Sequence, residues 1–254
     1  MANLTGTNLN DTLKGTDSAD TIYGWAGNDN IQGKKGSDSL FGDEGNDLVY
    51  GNQDNDYIAG SFGNDTLYGG TGHDTVYGGA ENDLILGEAG NDMLYGEAGD
   101  DQLYGGDGND YLNASGPTLG ESGIGAGEYD ELTGGNGADT FSLVADMFQQ
   151  GTQWVGNPGY IQDDNMDTVS SKGFAVIKDF NLTQGDTIQL DGFASHYELK
   201  PISWGQSFGN AGVADTAIVY VGSEKDKSEV VGVLQDVSLN SAYLQIPTVF
   251  TYTM

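Results

Sequence analysis

Gly60-Ser61-Phe62-Gly63-Asn64-Asp65-Thr66-Leu67-Tyr68-Gly69-Gly70-Thr71-Gly72-His73-Asp74-Thr75-Val76-Tyr77 is one nine-residue phrase written twice. In each half an aspartate follows a glycine by two residues and precedes a large aliphatic by two. Outward from this stretch the phrase runs on without a slip, placing aspartates at Asp11, Asp20, Asp29, Asp38, Asp47, Asp56, Asp65, Asp74, Asp83, Asp92, Asp101 and Asp110. The aliphatics are Leu13, Ile22, Ile31, Leu40, Val49, Ile58, Leu67, Val76, Ile85, Leu94, Leu103 and Leu112. A further glycine stands four residues after each aspartate from Gly15 to Gly105, with Ala114 in the last repeat. Chance does not hold three positions in phase over such a length, so the array is an internal repeat.

An inward aliphatic flanked by residues that face the other way reads as a short strand, because strand side chains alternate faces. Three residues make the strand and six make a turn rich in Gly and Asn, which supply positive φ angles and close backbone approach. Two strand-turn units give an eighteen-residue coil with one strand in each of two parallel sheets. The prediction is an all-β protein: a right-handed parallel β-roll, or β-solenoid, of nonapeptide repeats, followed by a β-rich C-terminal cap domain. Coils stack roughly 4.8 Å apart, so six make a rod of about 29 Å. The coil sorts the aspartates into two columns, one running from Asp11 to Asp101 and the other from Asp20 to Asp110.

The formal net charge is −31 on 26.7 kDa, and all eight basic residues are lysines. Nucleic acid is disfavoured as a partner, since phosphate binding needs basic groups. Acidic, glycine-rich chains are also disordered ones, but the strict apolar beat argues for folding once cations neutralise the repulsion. Aspartates stacked on a partly desolvated edge either stay protonated or take a cation between turns. Carboxylates beside turn carbonyls form an all-oxygen cage, which suits Ca²⁺ better than Mg²⁺. With no cysteine, disulfides and thiolate metal sites are absent.

Gly69-Gly70-Thr71-Gly72-His73-Asp74-Thr75-Val76-Tyr77 and Gly105-Gly106-Asp107-Gly108-Asn109-Asp110-Tyr111-Leu112-Asn113 resemble the RTX (hemolysin-type) nonapeptide of calcium-binding parallel β-rolls. The resemblance implies ligation by the twelve column aspartates, and by Asp130 and Asp139 where the repeat resumes. It also implies turn carbonyls near Gly27, Gly36, Gly45, Gly63, Gly72, Gly90, Gly99 and Gly108, and about ten Ca²⁺ shared between successive coils. Leu9, Ser18, Asp54 and Glu81 replace the glycine before Asp11, Asp20, Asp56 and Asp83. The first two repeats therefore read as poorly binding caps. Asp54 and Glu81 add acidic oxygen while removing glycine's backbone freedom.

Composition divides the chain into residues 1–116, the roll, and 117–254, the β-rich cap, with a resumed repeat-like segment at 125–143. Asp130 follows Asp110 by twenty residues where eighteen is expected, which predicts a short insertion. Val176-Ile177-Lys178-Asp179-Phe180 and Gly185-Asp186-Thr187-Ile188-Gln189-Leu190 resemble a segment of RTX caps, and Asp179 with Asp186 reads either as another calcium site or as a plain turn. Thr216–Val221 and Glu229–Leu234 read as strands. No basic-plus-apolar leader opens the chain, and no apolar run approaches the roughly twenty residues that span a bilayer. The resemblance then implies an uncleaved signal for type I secretion machinery at about 195–254.

Tyr23, Phe41, Tyr50, Tyr68, Tyr77, Tyr95 and Tyr104 face outward as ladders on both faces. They read either as a glycan- or partner-binding platform or, with more weight, as stacking that stabilises the sheets. His73 reads as a turn residue. His196 has no nucleophile elbow beside it, and the HExxH signature is absent. The function expected is a secreted, extracellular or matrix-associated calcium-binding protein without catalysis. The alternatives are a self-assembling surface-layer or adhesive protein, which binds surface polysaccharide or itself, and an accessory module of an extracellular polysaccharide-modifying or proteolytic enzyme.

Overall fold

The computed structural model describes residues 1–114, 129–143, 148–150, 153–155, 174–191, 197–202, 215–220, 229–234 and 250–253. Two large sheets, one of ten strands and one of eleven, take successive strands in alternation as far as Thr140–Ser142, after which Phe148–Gln150 and Gln153–Val155 pair as a separate hairpin. Pairing within each is parallel at an offset of one coil: Leu67 beside Ile85 and Ile85 beside Leu103 in one sheet, Ile58 beside Val76 and Val76 beside Leu94 in the other. Eighteen residues thus make a coil, and the array is a parallel β-solenoid of about six turns.

Between the sheets the aliphatics form one core, a column from each sheet. Every one from Ile22 to Leu112 is fully buried, and only Leu4 and Leu13 at the open N-terminal end are partly so. Burying each stabilises the coil by roughly 1.5–3 kcal/mol, which is why none of the twelve positions is polar.

Strands are three residues long at the N-terminal end, as expected, for example Thr12–Lys14 and Thr21–Tyr23. Inside the array they run to six, as in Asn30–Lys35 and Leu84–Ala89. Pairing skips Gly33 and resumes at Lys34 beside Asn52 and Lys35 beside Gln53. Turns of constant length stay in register from coil to coil, so their backbones join the ladder as well. Half of what reads as turn in the sequence is therefore strand.

Both sheets continue past residue 116. Leu112 pairs with Phe141, Phe141 with Ile188 and Ile188 with Phe250; on the other side Leu103 pairs with Leu132, Leu132 with Ile177 and Ile177 with Leu234. The length of the insertion is corrected by this register. Asp130 stacks on Asp101, not Asp110, at a separation of 29 residues. The comparison with an eighteen-residue coil leaves eleven extra residues rather than two. Beyond the parallel strands, Asp215–Tyr220 pairs antiparallel with both Glu229–Leu234 and Tyr197–Ile202, which ends that sheet in an antiparallel edge. His196, the residues between Ala114 and Tyr129, and most of 195–254 lie outside the described residues.

The aromatic ladders are unequal. One face carries a continuous run through Tyr23, Phe41, Tyr57, Tyr77, Tyr95 and Tyr111, to which Tyr57 and Tyr111 come from a different repeat position. Among the described residues the other face shows only the Tyr50–Tyr68 stack. Tyr23–Phe41 and Tyr77–Tyr95 lie 4.8 Å apart at 9° and 7°. Rings so stacked cover one another's faces along the rod. That favours sheet stabilisation over a platform, which needs ring faces free for a sugar.

Candidate metal centre

Each column aspartate sits where the six-residue turn re-enters a strand, and its carboxylate turns inward. From Asp20 to Asp110, and again at Asp130 and Asp139, the residues are between 0% and 3% exposed; Asp11, at the open end, is half-buried. One carboxylate oxygen, Oδ1, accepts the main-chain N–H of the aspartate one coil earlier. On one edge Asp11, Asp29, Asp47 and Asp65 donate to Asp29, Asp47, Asp65 and Asp83 at 2.7 Å each. The column closes with Asp83 to Asp101 and Asp101 to Asp130. The other edge runs from Ala2 and Asp20 up to Asp110, Asp139 and Asp186.

The second oxygen, Oδ2, separates two kinds of turn. At Asp29, Asp38, Asp47, Asp56, Asp65, Asp74, Asp83, Asp92, Asp110 and Asp139 it is buried with no hydrogen-bond partner. At Asp11 and Asp20 it accepts the N–H and hydroxyl of Thr7 and of Thr16, at 2.6 and 2.8 Å in both turns. At Asp186 it accepts the N–H of Asn181 at 2.7 Å.

Backbone conformation explains the split. In the inner turns the residue four before the aspartate is left-handed even where it is not glycine, as with Trp25, Lys34, Asp43, Asn52, Ser61, Glu88 and Glu97. Thr7 and Thr16 hold the same position without the left-handed twist, and there the N–H meets the carboxylate.

Main-chain carbonyls complete the surroundings of the orphaned oxygens. A Cβ added to Gly87 would stand 2.5 Å from Oδ2 of Asp92 and 2.6 Å from the carbonyl oxygen of Gly105 on the next coil. At Gly69 the same two neighbours, Asp74 and Gly87, would lie at 2.6 and 2.9 Å. The glycine four residues after each aspartate is therefore fixed by space rather than by φ. The Gly27 series, with Gly36, Gly45, Gly63, Gly72, Gly90, Gly99 and Gly108, is fixed by both: it takes φ between 98° and 155°, and an added Cβ would stand 1.4–2.6 Å from main-chain atoms one coil earlier. Sequence reasoning placed turn carbonyls near that second series and did not single out those of Gly42, Gly87, Gly105 and their equivalents, which lie beside the orphaned oxygens. Their unbroken recurrence was the available signal.

Burial pushes the inner carboxyls up: Asp38, Asp47, Asp74, Asp92, Asp110 and Asp139 to about 6, Asp56 and Asp65 to about 8, and Asp83 to about 9. The column neighbours' N–H bonds pull the other way without prevailing. Asp20 moves down instead, held by the N–H groups of Ala2 and Thr16. Inner carboxylates thus lack a counter-charge and the end carboxylate does not.

Among the described residues no three acidic or histidine side chains converge on one point. The donors are instead one orphaned carboxylate oxygen at each of the ten aspartates named above, with main-chain carbonyls, a hard all-oxygen set that fits Ca²⁺. Asp130 takes the equivalent column position above Asp101. Asp179 accepts the N–H groups of Gly134 and Gly135 at 2.9 and 2.7 Å, and together with Asp186 it ties off the end of the roll, which favours the plain-turn reading of that pair. His73 replaces the usual asparagine in a side-chain ladder. Its N–H donates to Asn55 Oδ1 and its Nδ1 accepts the N–H of Asn91 at 2.8 Å, the work of a turn residue.

Comparison with protein families matches the RTX calcium-binding nonapeptide repeat over residues 5–40, 26–58, 50–85, 59–94, 77–112 and 122–143, just over half of the chain. Curated proteins give no match. Among solved structures, the chain is similar to the solution structure of the AlgE6R3 subunit from the Azotobacter vinelandii mannuronan C5-epimerase. The two are 20% identical, the alignment covers 66% of this chain and 75% of that one, and the TM-score is 0.23.

Proposed function

The chain belongs to the RTX calcium-binding nonapeptide repeat family, and from that premise we propose that it is a secreted protein whose array folds as Ca²⁺ enters between stacked turns. The carrying observation is the set of buried, partnerless Oδ2 atoms of Asp29, Asp38, Asp47, Asp56, Asp65, Asp74, Asp83, Asp92 and Asp110, each facing a glycine that also meets a main-chain carbonyl of the next coil. An unpaired buried carboxylate costs several kcal/mol, so the coils do not stack stably at neutral pH without counter-charge. Bound calcium supplies that charge. The chain's residues do the rest: the Oδ1 ladder sets coil spacing, and the glycines leave the space beside Oδ2 open.

Asp29, Asp38, Asp47, Asp56, Asp65, Asp74, Asp83, Asp92, Asp101, Asp110, Asp130 and Asp139 are assigned as ligands, for about ten ions in all. Asp11 and Asp20 are assigned as caps. A site tuned to the 10⁻⁴–10⁻³ M range of extracellular modules keeps the chain open inside the cell and closes it outside. That supports an extracellular or matrix-associated structural role without catalysis, reached by type I secretion. No helix among the described residues is long and apolar enough to cross a membrane. Far-UV circular dichroism and hydrodynamic radius, compared in chelator and in millimolar calcium, test the proposal. Calcium should compact the chain and raise its β content; identical values in both conditions defeat it.

A further inference from the structure

The first two coils differ in charge from the four that follow. Residues 1–36 hold Asp11, Asp17, Asp20 and Asp29 against Lys14, Lys34 and Lys35, whereas residues 37–112 hold seventeen acids and no base. The core is unfinished at this end: Leu4 and Leu13 are only partly buried, and Leu9, in the first turn, is 73% exposed. Open strand edges lie beside them. Among the described residues, Asn3–Thr5 and Thr12–Lys14 each have one strand neighbour. Gly6 N–H donates to the Tyr23 carbonyl and Thr21 N–H to the Ala2 carbonyl; Gly15 and Asp11 are joined to Gln32 and Asn30 in the same way. Alternate residues of a strand turn their peptide groups to opposite sides, so Asn3, Thr5, Thr12 and Lys14 aim theirs away from the roll. Sheets commonly blunt such edges with charge and proline. The far edge strand of the eleven-stranded sheet, Tyr197–Ile202, contains Glu198, Lys200 and Pro201, while the two strands at the near end contain Lys14 alone.

We propose that this end docks a second copy of the chain, head to head about a two-fold axis, with each open strand pairing antiparallel to its mate and Leu4 and Leu13 closing against their counterparts. A two-fold contact presents one patch to itself, so it forms where the patch does not repel its own copy. The dense run of acid begins at Asp38, two coils or about 10 Å from the end. Head-to-head docking therefore keeps the two acidic stretches about 20 Å apart, beyond the roughly 8 Å over which charge acts in physiological salt. Side-by-side contact brings them together. The end turns also need no ion at the junction, because Thr7 and Thr16 satisfy Asp11 and Asp20. A coil end of about 25 by 20 Å offers about 500 Å² per copy, and two reach the roughly 1,000 Å² at which specific interfaces begin. The junction is thus a weak and reversible one. It rests on the calcium reading above only in requiring the roll to be folded.

Sedimentation velocity and small-angle scattering of the full chain at saturating calcium test this. Wild type should form a reversible dimer in the micromolar range, with a maximum dimension about twice that of the monomer. Leu9→Asp places a carboxylate on an exposed side chain of the docking end and should weaken the dimer about tenfold or more, with the circular dichroism of wild type. Phe62→Asp makes the same exchange at an exposed position farther up the roll and should leave the dimer alone. A monomer at every concentration, a side-by-side dimer or an open-ended polymer overturns the proposal. So does an unweakened dimer in Leu9→Asp, or an equal loss in the two variants. If Leu9→Asp does not reach wild-type dichroism, the length of the wild-type particle decides by itself. A chain that calcium fails to fold defeats the calcium reading, a distinct outcome.

Discussion

The turns at Asp20 and at Asp65 contain the same aspartate in equivalent stacks, yet their carboxylates are in opposite conditions. Oδ1 of both accepts a main-chain N–H from the coil before. Oδ2 of Asp20 is held by Thr16, whereas Oδ2 of Asp65 has nothing. The difference lies four residues upstream, where Ser61 is left-handed (φ 88°) and Thr16 is not. A non-helical twist in one residue decides whether a carboxylate is satisfied by its own turn or left open for a cation. The inner turns are unfinished without a ligand, and the end turns are finished without one.

Acidity breaks this comparison most forcefully. The inner carboxyls have raised folded pKa values, so in chelator their contribution favours folding below the ordinary carboxylate range and is lost as pH rises through about 6 to about 9. Asp20, shifted down, contributes above its ordinary range and loses that contribution on acidification. Because the raised groups dominate, calcium-free chain should gain β structure by circular dichroism between pH 9 and pH 4, while apparent calcium affinity falls over the same interval. A calcium-free chain that loses structure on acidification would show that the inner carboxylates are not the controlling groups.

Removing carboxylates one at a time comes next in size. Asp65→Ala strips the acceptor from the N–H of Asp47 and removes a ligand, and should cost about 4 kcal/mol or more in calcium-saturated urea denaturation. Asp11→Ala should cost under about 1 kcal/mol, since Asp11 is half-buried at the open end. Equal losses would erase the distinction between inner and end turns. Gly87→Ala sets a Cβ against Asp92 Oδ2 and the Gly105 carbonyl. It should destabilise by about 1–3 kcal/mol and lower the calcium count in equilibrium dialysis. The smallest change sharpens the comparison: Thr16→Gly with Ser18→Gly gives the Asp20 turn an inner-type sequence, and the same dialysis should then find about one more ion.

Much of the site was legible early because a solenoid makes sequence period and spatial neighbour the same thing. Once Asp47 and Asp65 are eighteen residues apart in a coil of eighteen, their stacking needs no further information. Legibility failed where that equivalence failed. The eleven-residue excess before Asp130 was hidden because the count was taken from Asp110, its sequence neighbour, rather than from Asp101, its column neighbour. The ladder through Tyr57 and Tyr111 was missed because those residues occupy another repeat position and meet Tyr77 and Tyr95 only across strands.

By itself, then, the sequence determined the coil, its two-column edge of carboxylates and its line of buried aliphatics, since all three follow from a nine-residue period and the alternation of a strand. The stacked structure alone decided which oxygen of each aspartate is occupied, which glycines are required for space alone and which for φ as well, and that Asp54 and Glu81 complete their turns instead of breaking them. Those outcomes depend on where the next coil's backbone comes to rest. That placement is a contact between residues one coil apart, and no reading along the chain contains it.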